Sequence, residues 1–152
     1  SSIKTANVFS DLKGNISIHV LSRVPIVRIQ NKKEGYYIDL DGDKMPFSNL
    51  YTSRILLITG NIDEVENEDL FTISEYIYND EFLKKQIVQI NIEKSELTLY
   101  TRVGEYIEFG EVKNIYTKFN NLRLYYDKGT KENSIYKTIS LKYNNQIVCT
   151  KK

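Results

Sequence analysis

A chain of 152 residues is long enough for one domain of ordinary size with a hydrophobic core, or for one domain and part of another. Its 21 basic residues are balanced by 20 acidic ones, which argues against nucleic acid or an anionic membrane as the main partner, since both call for a basic field. The longest apolar run, Ile55-Leu56-Leu57-Ile58, falls far short of the roughly 20 residues that span a bilayer, and a single cysteine, Cys149, excludes an internal disulfide.

Tyrosine is abundant, with 12 residues against no Trp and two Pro, a usage that favours strands and half-buried surfaces. The chain opens at Ser1-Ser2 without an initiating Met. It is therefore expected to be part of a longer protein whose upstream segment held any targeting or anchoring element. Residues 3–10 carry Ile3, Val8 and Phe9 on a short element, predicted as a helix end running into a strand. Asp11 to Asn15 is a turn cluster with Gly14 free to take positive φ. Ile16, Ile18 and Val20 then alternate with Ser17, His19 and Leu21, a strand that closes a hairpin. A two-stranded hairpin is marginal alone, so it is expected to belong to a small domain whose first half lies upstream. Pro25 cannot donate a ladder hydrogen bond and marks a junction or an edge. The domain boundary is placed there, between residues 1–24 and 25–152.

Gly35 to Leu40 reads as a strand, Asp41-Gly42 as a hairpin turn, and Lys44 to Phe47 as the return. Arg54 to Gly60 reads as a strand buried on both faces. Acidic residues from Asp63 to Asp69 precede an apolar stripe of Leu70, Ile73, Tyr76 and Ile77, the start of a helix that Asn79-Asp80 breaks. Glu81 to Gln86 is one more turn. Strands follow at Ile87–Ile92, Leu97–Thr101 and Tyr106–Phe109, with Gly104 turning the chain between the last two. The clearest helix runs from about Val112 to Tyr126, where Val112, Ile115, Phe119 and Leu122 fall at spacings of three and four, with Gly129 ending it. The last stretch alternates: Ile139, Leu141 and Tyr143 point one way, Thr138, Ser140 and Lys142 the other. Asn144-Asn145 interrupts it, and Gln146 to Thr150 resumes as strand. This order reads as α+β, a mostly antiparallel β-sheet with helices packed on one side. A last strand is often an edge strand, with N–H and C=O groups free to pair with another chain.

The residues offer little chemistry. Asp39, Asp41 and Asp43 alternate as cation ligands do, but an EF-hand starting at Asp39 wants Gly at its sixth position and Glu at its twelfth, where Lys44 and Leu50 stand. A polar turn explains the stretch. His19 is the only His and lies on the polar side of a strand, so Cys149 has no base to make it a nucleophile. No Gly-x-Ser-x-Gly elbow and no Gly-rich phosphate loop occurs. No catalytic residue, metal ligand, cofactor or small-molecule substrate is expected.

Several stretches in this order resemble the bacterial cell-division family FtsQ, called DivIB in Gram-positive bacteria. They are Arg23-Val24-Pro25-Ile26-Val27-Arg28-Ile29, then Tyr37 to Phe47 with its Asp-x-x-Gly, then Ile58-Thr59-Gly60. Leu97-Thr98-Leu99-Tyr100, Phe109-Gly110 and the closing Ile139-Ser140-Leu141-Lys142-Tyr143 complete the likeness. The resemblance implies that residues 1–24 are the C-terminal part of a POTRA domain, a partial β-hairpin, and that 25–152 are an FtsQ-type β domain. It implies a non-catalytic divisome scaffold that recruits FtsB and FtsL by strand addition at its C-terminal strands. It also implies the periplasmic domain of a single-pass inner-membrane protein at the division septum, anchored by an N-terminal helix. Carried over residue by residue, the partner contacts are Ile139, Leu141, Lys142, Tyr143, Asn145, Gln146 and Val148. Lys142 stands for the family's Arg, and Asn145 and Gln146 stand where the family has small residues. A second reading is a POTRA-containing binding module of outer-membrane assembly or secretion, which the long stretch after Pro25 disfavours.

Overall fold

The computed structural model describes residues 2–31, 35–47, 55–128, 136–143 and 146–151. Its first element corrects the expectation of a helix end. Ile3–Ser10 is strand throughout (β1), paired antiparallel with Ile16–Ser22 (β2). The apolar residues of 3–10 make no helical stripe, and the ladder to β2 gives the main chain its partners instead. The turn between them is held by the Asp11 carboxylate, which accepts from the N–H of Lys13 and of Asn15, with Gly14 at φ 80°. The register sets Val8 opposite Ile18 and Ala6 opposite Val20, so these four share one face. Every residue of both strands is exposed.

The second sheet has nine strands. In chain order they are β3 (Pro25–Gln30), β4 (Gly35–Asp39), β5 (Lys44–Pro46), β6 (Leu56–Gly60), β7 (Ile87–Glu93), β8 (Glu96–Thr101), β9 (Tyr106–Gly110), β10 (Tyr136–Ser140) and β11 (Val148–Lys151). Across the sheet they run β11-β10-β9-β8-β7-β6-β3-β4-β5. Among these pairings β3–β6, β6–β7 and β9–β10 are parallel and the other five antiparallel. The fold is α+β as predicted, with a mixed sheet.

Three helices cover one side: α1 (Asn67–Asn79), α2 (Glu81–Gln86) and α3 (Ile115–Lys128). The register aligns Val27, Ile58, Ile90, Leu99, Ile107 and Ile139 on that side, where they meet Leu70, Ile73, Phe119 and Leu122 in one core. Asp80 breaks α1 from α2 because its extended backbone lets the carboxylate accept from the N–H of Phe82 and Leu83, an N-cap.

Two further expectations are corrected. β6 is not buried on both faces: Leu56 and Ile58 are buried, but Leu57 and Thr59 are half-buried, because among the described residues no helix covers the far side. There Gln89 donates to Thr59 and Thr59 to Asn91, a polar ladder across strands. The long helix starts at Ile115 and not near Val112, because Asn114 sits at φ 54°, outside the helical region. Gly129 and Asn144-Asn145 lie outside the described residues.

Candidate functional site

A sheet that is not closed has two edges, and their main-chain groups are where another chain can add. One edge here is β5, three residues long, with Lys44 and Pro46. Proline has no N–H to offer, and a charged edge resists pairing. Lys44 also lies over the Tyr36 ring, 4.5 Å from its centroid. The other edge is β11, which pairs with β10 alone among the described residues.

The predicted contact residues fall in several places. Ile139 is on β10, an interior strand flanked by β9 and β11, and its side chain is buried. Leu141 lies just past β10, also buried, and its N–H donates to the Glu108 carbonyl. The alternation expected through Tyr143 therefore ends at Ser140. Ser140 itself is buried on the far side of the sheet, and its hydroxyl has no partner among the described residues. Lys142 turns back over Gly110 and pairs with Glu96 at 2.6 Å, which raises its pKa. Tyr143 is 54% exposed, Gln146 is exposed, and Val148 on the edge strand is 43% exposed. Asn145 lies outside the described residues. The structure thus brings Val148 and Gln146 to the edge, and separates them from Ile139 and Leu141, whose side chains belong to the core.

The edge strand is tied to α3. Cys149 is half-buried beside the Tyr125 hydroxyl; burial pushes the thiol pKa up. Burial, first of all, also raises the pKa of Tyr125 and of the neighbouring Tyr126, whose hydroxyl donates to the buried Glu105 carboxylate. The one His lies on the other sheet, on β2, while Cys149 and Tyr125 both pack against the core. Among the described residues no cluster of His, Cys, Asp and Glu could hold a metal, and no helix is long and apolar enough to cross a membrane.

The Asp39-x-x-Gly42 stretch is a polar turn, and it does more than turn. Asp39 accepts from the N–H of Asp41 and of Asp43, and from Arg23 Nε at 2.5 Å. Arg23 also donates to the Lys44 carbonyl. Burial works to raise the Asp39 pKa, but Arg23 and the two N–H groups outweigh it and hold the carboxyl below its usual value. Arg23 sits between β2 and β3, so this ion pair joins the hairpin to the large sheet.

A family model described as FtsQ/DivIB, C-terminal related, matches residues 24–150. No curated protein matches the chain. The matched family is one of non-enzymatic division scaffolds; it supports a role in cell division, with divisome proteins as partners and an extracytoplasmic septal placement.

Proposed function

The chain belongs to the FtsQ/DivIB family, and from that premise we propose that it is a non-catalytic divisome scaffold that recruits FtsB and FtsL by strand addition at β11. The observation that carries the reading is the asymmetry of the two sheet edges: β5 is short and blunted by Lys44 and Pro46, while β11 pairs on one side only among the described residues. In strand addition the main chain supplies much of the affinity and alternate side chains the selectivity. Val148, Gln146 and Tyr143 are among the exposed side chains beside that edge. Lys142, just past β10, is held by Glu96.

Residues 1–24 are the last part of a POTRA domain and 25–152 the β domain in this reading. The hairpin's separate sheet and the family match beginning at residue 24 support that division. The full protein is anchored in the inner membrane by an N-terminal helix and works at the septum. An outer-membrane assembly module is the weaker reading, because a nine-stranded sheet is not a repeat of small POTRA units.

Titration calorimetry of this chain against the extracytoplasmic part of the same organism's FtsB, alone and with FtsL, tests the proposal. Saturable binding is expected, weakened by Tyr143→Glu in a folded protein. A folded chain that binds neither FtsB nor the FtsB–FtsL complex overturns it.

A further inference from the structure

Resting on that reading, the geometry assigns the partner's main-chain bonds to two residues of β11, Cys149 and Lys151, which sequence reasoning did not select. We infer this from hydrogen-bond polarity. The Leu141 N–H donates to the Glu108 carbonyl, and β9 and β10 are parallel with Ser140 opposite Glu108. In a strand the N–H and C=O of successive residues point to opposite sides. Ile139, like Leu141, therefore turns its main chain toward β9, and Thr138 and Ser140 turn theirs toward β11. Their antiparallel partners are Thr150 and Val148, so those two residues spend their main-chain groups on β10. Cys149 is left pointing away from the sheet, and by alternation along β11 so is Lys151, the extra residue of the register shift between Tyr136 and Thr138 falling on β10.

The same register describes the partner. Cys149 lies opposite Ile139, on the helix side, where the Tyr125 hydroxyl meets it. Lys151 lies opposite Tyr136, whose ring lies near that of Tyr125 on the same side. A strand laid against the edge puts side chains beside Cys149 and Lys151 on that face. An apolar side chain fits beside Cys149 and Tyr125. A carboxylate two residues away fits Lys151, an exposed cation for which no ion pair is formed among the described residues. The partner is thus an extended segment with an apolar and an acidic residue two positions apart on one face.

Amide hydrogen exchange on this chain, free and with the extracytoplasmic part of FtsB, tests the assignment. In the free chain Val148 and Thr150 amides are expected to exchange slowly and Cys149 and Lys151 fast, the latter two slowing when FtsB binds. Of main-chain groups Cys149→Pro removes only an outward N–H, as edge strands tolerate; with Cys149→Ala as the control for the lost thiol, it should leave the chain folded and weaken FtsB about tenfold or more. Thr150→Pro removes an inward N–H and should lower the melting temperature instead. Lys151→Glu should weaken binding; unchanged affinity removes the carboxylate from the partner's description. Failure of FtsB and FtsB–FtsL to bind the unsubstituted chain overturns the preceding reading and this one with it. Binding that leaves the Cys149 and Lys151 amides fast, or that a folded Cys149→Pro chain retains in full, overturns this inference alone.

Discussion

At the scale of the residue, Asp39 carries the most. One carboxylate closes its own turn, accepts from Arg23, and so joins the first hairpin to the sheet. Its side chain is 2% exposed and that of Arg23 15%, so the pair is screened little by water. Because its folded-state pKa lies below the ordinary 3.8, the stability it contributes is full above that value and is lost as pH falls through the folded value. Thermal melts between pH 7 and pH 2 should show such a loss, and Asp39→Asn should flatten part of it. A mutant with the same acid profile as the parent would remove Asp39 from this account. Arg23→Met should destabilise more than removal of the exposed Lys4–Asp41 pair, because it strands a buried carboxylate.

Elements here are shaped by a few backbone positions. Gly60 ends β6 at φ 97°, and a Cβ there would lie 2.2 Å from the Ile92 carbonyl oxygen on the neighbouring strand. Gly60→Ala is expected to cost about 1–3 kcal/mol for the backbone conformation alone, more with the clash, read as a fall in the denaturation midpoint. The β7–β8 hairpin turns through Lys94 and Ser95, both at positive φ (54° and 60°). Two such residues form a turn that Asn-Gly makes with less strain. Replacing Lys94-Ser95 by Asn-Gly should therefore raise the melting temperature. The Ser95 main-chain N–H donates to the Glu64 carboxylate, and the replacement keeps that N–H.

For the whole molecule, the two sheets differ in what they bury. The nine-stranded sheet and its helices hold the core, while β1 and β2 contribute no buried residue to it. A chain beginning at Arg23 keeps the Asp39 pair and all of that core. It should fold and melt cooperatively near the temperature of the full chain, by circular dichroism. A broad, unfolded-like melt would show that the hairpin contributes to the core after all. The one-sided helix layer leaves the far face to polar and aromatic pairs such as Gln89–Thr59 and Tyr100–Tyr106.

Much of this was legible in the amino-acid order because local rules act on neighbours. Period 2 marked most of the strands, and spacings of three and four marked the stripe of α3. Asn79-Asp80 marked the α1 break, and Asp41-Gly42 the β4–β5 turn. Motif order was enough for the family. What local pattern could not decide was which strand lies next to which. Alternation through Leu141 and Tyr143 read as strand up to Asn144-Asn145, yet β10 ends at Ser140 in the sheet interior beside β9, and Leu141 leaves it buried. The free edge passed to β11, and with it the outward main-chain groups. Burial on both faces of β6 depended in the same way on a helix layer that the fold supplies to one side only. Side-chain pattern is a property of the chain, and it pointed to a last strand at an edge; but the partner of each N–H and C=O is a property of the packed sheet, so only the tertiary structure decided which main-chain groups of that strand have no partner among the described residues.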